Sequence, residues 1–191
     1  MACSFITSGL TATCAALKKR GGANKRVWIG ALDDIASVTK DGTSHKLTAV
    51  TMESGKKLYS WSGKPYKNAG RYELVAGENV NIVKHFVDLE IFHETQLDRD
   101  AIDELIDAED LVVFMQNNAG QIEVYGLDIE AGPPTEPEGG LKMESGTGGT
   151  GKVLNDNTAF VCTLSGDVSH LPYIFESTDL ATSIAHLDAL L

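Results

Sequence analysis

The chain has 191 residues, 42% of them hydrophobic and 23% charged, with a formal net charge of −11. That is enough apolar material for one domain with a real core, or a domain plus long arms, and the composition is too ordinary for a wholly disordered chain. No apolar run approaches the roughly 20 residues needed to span a bilayer, and three cysteines (Cys3, Cys14, Cys162) without a CxxC spacing argue against a disulfide framework and predict reduced thiols.

The charge is unevenly placed. Up to Arg71 there are 12 basic residues against 4 acids, a local +8, whereas from Tyr72 onward the balance is −19. Two readings fit: copies that stack basic face on acidic face, or two halves that pack together within one molecule. Nucleic-acid recognition is not expected as the primary task. Trp28, Tyr59, Trp61, Tyr66 and Tyr72 do not interleave with the lysines as a stacking platform, and the acidic remainder repels phosphate.

The first residues, 1–23, read as an N-terminal arm. Lys18, Lys19 and Arg20 follow the apolar stretch rather than precede it, and Thr13 stands before Cys14 where a lipoprotein signal takes a small Gly or Ala. Export is therefore not expected, and synthesis in a reducing cytoplasm fits. "NKRVWIGALDDI" (24–35) predicts a strand with Val27 and Ile29 on one side and Trp28 on the other, turned by Asp33-Asp34. Asp41-Gly42 predicts a hairpin between two alternating runs. "ESGKKLYSWSGK" is a further strand, and 62–70 a loop. Then "RYELVA" and "VNIVKHFVDLEIFHE" flank "GEN". The second run reaches about 15 residues, or roughly 50 Å, long for a strand in a compact domain. Its alternation slips: Ile82 and Phe86 share one parity, and Val83, Val87, Leu89 and Ile91 the other. Either a bulge near His85 or two covered faces would explain that.

"TQLDRDAIDELIDAED" predicts a helix capped by Thr95 or Asp98, with an apolar stripe of Leu97, Ala101, Ile102, Leu105 and Ile106 and a solvated acidic face. "DLVVFMQNNAGQIEVYGLDIE" predicts a hairpin turning at 117–120. Residues 131–140 form a Pro/Gly loop, exposed or partner-bound. Two strands follow around "ESGTGGTGKV" (144–153). That stretch has the spacing of a phosphate-binding loop, but Val153 stands where Mg²⁺ needs a hydroxyl, and a strand-type run follows where a helix should. A loop or slack edge strand is the expectation. "HLPYIFES" is a last extended piece, and 177–191 a helical tail with Leu180, Ile184, Leu187 and Leu191 on one face.

The expected organisation is thus mainly β: a β-sandwich or small barrel over 24–176 with one flanking α-helix, followed by the short C-terminal helix. No catalytic, metal or cofactor site is expected. "HETQL" (93–97) lacks the second histidine of a zinc-protease helix, no GxSxG is present, and pairs such as Asp33/Asp34 are turn chemistry. No enzyme activity and no cofactor are predicted.

Three stretches carry a resemblance. They are "CAALKKRGGANKRVWIGALDDI", "LIDAEDLVVFMQNNAGQIEVYGLDIE" and "SGTGGTGKVLNDNTAFVCTLSGDVSHLPYIFE". In this order and spacing, over roughly 14–176, the chain resembles tail-tube proteins of bacteriophages, especially those of Bacteroidetes hosts. The resemblance implies a tail-tube-like sandwich, hexameric self-assembled rings stacked into a hollow tube, and long β-hairpins joined into one inner barrel. It implies other tail or neck proteins as partners, DNA in transient passage, no membrane, and a place in the virion. On it, 71–94 and 111–130 are candidate lumen or ring-forming hairpins. Glu73, Glu78, Asp88, Glu90, Glu123 and Asp128 are then lumen or inter-subunit candidates. Lys18, Lys19, Arg20, Lys25 and Arg26 are inter-ring candidates. The rival readings are a monomeric β-sandwich that holds a carbohydrate or host-surface ligand on Trp28, Trp61, Tyr59 and Tyr66, and a head–tail connector component.

Overall fold

The computed structural model describes residues 23–42, 44, 46–62, 67–76, 81–92, 95–129, 138–149 and 159–191. The elements run β1 (Ala23–Ala31), a 3-10 turn (Leu32–Asp34), β2 (Ile35–Lys40), β3 (Lys46–Met52), β4 (Tyr59–Ser62), β5 (Ala69–Val75) and β6 (Ile82–Phe92). Then come α1 (Gln96–Asp107), β7 (Leu111–Asn117), β8 (Ile122–Tyr125), β9 (Leu127–Asp128), β10 (Glu138–Gly139), β11 (Lys142–Gly149), β12 (Ala159–Val168), β13 (Tyr173–Phe175) and α2 (Leu180–Asp188). The chain is mainly β, a sandwich with flanking helices. A seven-stranded sheet has the order β2-β3-β13-β8-β7-β1-β4, a four-stranded sheet the order β11-β12-β6-β5, and β9 pairs with β10.

The period of two in β1 decides which core each residue joins. Val27 and Ile29 enter the core between the two sheets with Val87, Leu89, Cys162 and Leu164. Trp28, one residue along, enters a second core on the opposite face of the seven-stranded sheet, with Phe114, Phe175 and Leu187. The central strand β7 is covered on both faces: Leu111, Val113 and Met115 join the first core, Val112 and Phe114 the second. This is why "LVVFM" is an unbroken apolar run rather than an alternating one.

The second core is closed by α2. Asp179 caps that helix by accepting from the Thr182 N–H at 2.7 Å. Leu187 is fully buried, so its truncation to Ala would cost roughly 2–5 kcal/mol. The indole N–H of Trp28 donates to Asp188 at 2.9 Å, and the Leu58 N–H donates to the Leu190 carbonyl at 2.8 Å. Residues 177–191, set apart in sequence as a tail, are therefore part of the sandwich. Leu190 packs on the core where Leu191 was expected to.

Thr95 and Asp98 both cap α1, in a reciprocal box: Thr95 Oγ1 accepts from the Asp98 N–H, and Asp98 accepts from the Thr95 N–H. Its buried stripe is narrower than predicted. Ile102 and Leu105 reach the first core, whereas Leu97 is 78% exposed and Ile106 is also exposed.

Strand β6 has 11 residues rather than about 15, with His93 and Glu94 outside the described residues. It pairs with β5 and β12 without a register shift, so no bulge lies near His85. A covered outer position accounts for the parity slip at Phe86 but not at Ile82, which is exposed. Phe86 points to the outer face of the four-stranded sheet and is buried there beneath Arg71, whose guanidinium lies 3.8 Å from the ring centroid.

Candidate assembly surface

The four-stranded sheet presents one face to the first core and the other to solvent. Register places Arg71, Glu73, Lys84, Phe86, Asp88, Glu90, Thr163 and Asp167 together on the outer face. Three of the six acidic candidates, Glu73, Asp88 and Glu90, are thus brought onto one surface. They do not form a bare acidic lining. Arg71 donates to Glu73 at 2.9 Å and lies 3.5 Å from Asp88, Lys67 lies 3.8 Å from Glu90, and Lys84 donates to Glu144 at 3.1 Å. The Lys84 hydrogen bond holds the Glu144 carboxyl below the usual carboxylate range.

The hairpin 111–130 does not supply ring-forming strands. β7 lies between β1 and β8, and β8 between β7 and β13, so both edges of each are filled within the chain. Glu123 is held by the Asn117 amide at 2.6 Å and by the Tyr125 hydroxyl. Asp128 is buried, accepting from the Ser169 N–H at 2.8 Å and lying 3.0 Å from His170 Nε2. Asp128 serves the interior, where a buried carboxylate needs such partners, and half-buried Glu123 is held by its neighbours within the sheet. Glu78, Lys18, Lys19 and Arg20 lie outside the described residues, as do the side chains of Lys25 and Arg26 in β1.

Among the described residues the four-stranded sheet has two edges, β5 and β11, and they differ from ordinary edges. From Ser145 to Gly149 β11 carries no charge and no proline, the usual guards against edge pairing. Its glycines have a local reason. A Cβ at Gly146 would stand 2.5 Å from the ring of Phe160, which lies across the strand. The phosphate-loop resemblance ends there: 142–149 is extended strand, the next described element is the strand β12, and Gly151 and Lys152 lie outside the described residues.

At the other edge, Leu74 is 69% exposed, with Tyr72, Val75 and Ile82 also exposed. Tyr72 and Leu74 share the parity of inward-facing His85 and Val83, so β5 runs past the cover of the opposing sheet. The acidic candidates did not include these apolar positions. The slipped parity of Ile82 and Phe86 was their only trace in sequence.

A groove of about 450 Å³ lies beside β4, the edge of the seven-stranded sheet, and is walled on its other side by α1. Trp61 and Tyr59 line it with Ile29, Ile91 and Leu105. Trp28 is not among them, because it is turned into the second core, and Tyr66 lies outside the described residues. Among the described residues no group of His, Cys, Asp and Glu is placed to hold a metal ion, and no helix is long and apolar enough to cross a membrane. The chain matches no protein-family model, no curated protein and no solved structure.

Proposed function

We propose that this chain is a structural virion subunit, of a tail tube or neck ring, whose copies assemble into rings that form a channel for DNA. The observation that carries the reading is that, among the described residues, β5 and β11 of one four-stranded sheet have no strand on their outer sides. All three pairings in that sheet are antiparallel, so β5 and β11 run in opposite directions. Strand β5 of one copy can therefore lie antiparallel to β11 of the next, and repetition closes a ring with no edge left.

Two further features support this. The edges are staggered along the sheet: β11 lies beside 159–165 of β12, whereas Ala69 of β5 aligns through Asp88 with Thr163 and the strand continues past Val168. Tilted strands in a closed barrel require such an offset between successive strands. Leu74, Val75 and Ile82 also gain a cover when a neighbour is seated on the hairpin. The outer face of the sheet then lines the channel. Other tail or neck proteins would meet the ring, and DNA would pass without being held. The rival reading, a monomeric ligand-binding module, loses one of its four aromatic residues to the core at Trp28.

Negative-stain imaging of the purified protein at rising concentration tests this. Rings with a central hole are expected, and Leu74→Lys with Thr147→Lys should leave a folded monomer with an unchanged melt, because charges on both edges oppose pairing. A wild-type protein that light scattering finds monomeric under assembly-promoting conditions would sink the reading.

A further inference from the structure

We infer that the joint between copies is registered by Tyr72 of one copy, seated beside Gly146 of the next and against the ring of that copy's Phe160. This rests on the self-assembly reading and names which residues of the two sheet edges meet.

The drift of the strands across the four-stranded sheet gives the register. The middle of β11, Ser145-Gly146, stands beside Thr163-Cys162 of β12. The middle of β6, Val87, stands beside Leu164, and the middle of β5, Tyr72, aligns through His85 with Gly166. The midpoints therefore move one way along β12, by about one residue for each strand crossed, as the steady tilt of a closed barrel requires. One more step of about one residue carries the middle of the next copy's β11 to Tyr72 and Glu73. Period two then chooses between them. Gly146 faces the sandwich interior, being paired with buried Cys162. Tyr72 faces the same side, being paired with buried His85, and Glu73 faces the other.

The two positions also fit in size. Tyr72 is 52% exposed in the single chain, a large ring on an edge strand with open space beside it. Gly146 brings no side chain to its own edge, and the Phe160 ring lies across it. A large side chain set beside an edge glycine and against an aromatic ring is a known means of fixing strand register. On the outer face the same register sets Glu73 beside Ser145 and Arg71 beside Thr147, so no like charges oppose. The symmetrical pairings lack this fit. Two β5 strands joined about Tyr72 set tyrosine against tyrosine and leave both β11 edges bare. Two β11 strands joined about Gly146 set glycine against glycine and leave Tyr72 and Leu74 exposed.

Disulfide trapping reads the register directly. Full-length chains carry Cys3→Ser and Cys14→Ser, and Cys162 stays because it is buried. Chains with Glu73→Cys are mixed with chains carrying either Ser145→Cys or Thr147→Cys, allowed to assemble, and oxidised with glutathione disulfide. Directly opposed Cβ atoms stand about 4.5–5.5 Å apart and diagonal ones about 7–8 Å. The 73–145 dimer should therefore exceed both the 73–147 and the 73–73 dimer by roughly fivefold. A 73–147 or 73–73 dimer of equal or greater yield, or no dimer from any pair, would overturn the inference. In a second arm, Tyr72→Ala should leave the melt of the monomer unchanged and raise the concentration needed for assembly about tenfold, while Tyr72→Phe assembles as the wild type does. Assembly of Tyr72→Ala at the wild-type concentration would also overturn it. Imaging of the same samples separates the two ideas: a dominant 73–145 dimer in a protein that forms no rings keeps the register and sinks the ring, whereas rings with another dominant dimer, or with none, sink the register alone.

Discussion

Gly70 and Tyr125 touch across the sandwich: the Tyr125 hydroxyl stands 2.2 Å from where a Cβ on Gly70 would be. Gly70 is in β5 of one sheet and Tyr125 in β8 of the other, so this contact sets how closely β5 lies on the opposing sheet. Tyr125 is buried and donates to Glu123, and close-packed interiors resist displacement of such a ring. Gly70→Ala is expected to cost about 1–3 kcal/mol. A lower melting temperature, by roughly 2–10 °C for a domain of this size, would be read by thermal denaturation. In a Tyr125→Leu background the added cost should vanish, since the clash is pairwise.

His85 should make the fold acid-sensitive. It is fully buried in the first layer of β6, accepts from the Gly126 N–H on Nδ1 at 3.2 Å, and donates from Nε2 to the His170 carbonyl at 2.9 Å. Both nitrogens are thus committed to the neutral tautomer. Burial pushes its pKa down from 6.5 to about 4, outweighing the opposing pull of the His170 carbonyl and of Asp128. A base with a depressed folded pKa stabilises the fold fully above 6.5. That contribution is lost as pH falls from 6.5 to about 4, because the unfolded chain takes up the proton first. The loss is on the order of 3 kcal/mol. Urea denaturation at pH 7 and pH 4.5 should show it, and His85→Met, though less stable at pH 7, should show a shallower slope. An equal slope in both proteins would contradict the assignment.

Cys162 should be chemically silent in the folded protein. Its side chain is buried between the sheets, and burial pushes the thiol up to about 12, with the Asp88 charge adding to the effect. The reactive thiolate is then absent at neutral pH. Iodoacetamide at pH 8 should leave the Cys162 peptide unmodified by mass spectrometry until denaturant is added.

What could be read in the sequence follows the range of the interaction that decides it. The two faces of β1, the Asp41-Gly42 turn and the Thr95 cap are fixed within a few residues, and "NKRVWIG", "DG" and "TQLD" display them. The width of the α1 stripe is not local. Leu97 and Ile106 have the right spacing for a core, but the first core meets only Ile102 and Leu105. The acids divide for the same reason. Asp88 and Glu90 alternate with Val87, Leu89 and Ile91, so period two alone sends them outward together. Asp128 looks the same in sequence, and partners distant in the chain, the Ser169 N–H and His170 among them, make its burial tolerable. The hairpin 111–130 had the marks of a ribbon. What made it central is the insertion of β1 and β13 on its two sides, pairings made across long sequence separation.

The outer face of the four-stranded sheet should pass duplex DNA without holding it, because most of its cations are engaged by its own acids. Lys67, Arg71 and Lys84 each have a carboxylate within ion-pair distance on the same face, whereas Lys142, set beside Ser165 on that face, has no ion pair among the described residues. Such exposed pairs add little to stability, about 0–1 kcal/mol each. Their consequence is for a passing polyanion, which must compete with a carboxylate for each of these three cations. Wild-type protein is therefore expected to bind duplex DNA undetectably at 150 mM salt, on the order of physiological ionic strength. Replacing Glu73, Glu90 and Glu144 with Gln keeps side-chain size, frees Lys67 and Lys84, leaves Arg71 with Asp88 alone, and should create measurable binding. Fluorescence anisotropy of a labelled duplex would read it. The gained affinity should fall steeply as salt rises, because phosphate contacts release counterions. Tight, salt-resistant binding by the wild type would show that this face holds DNA rather than letting it slide.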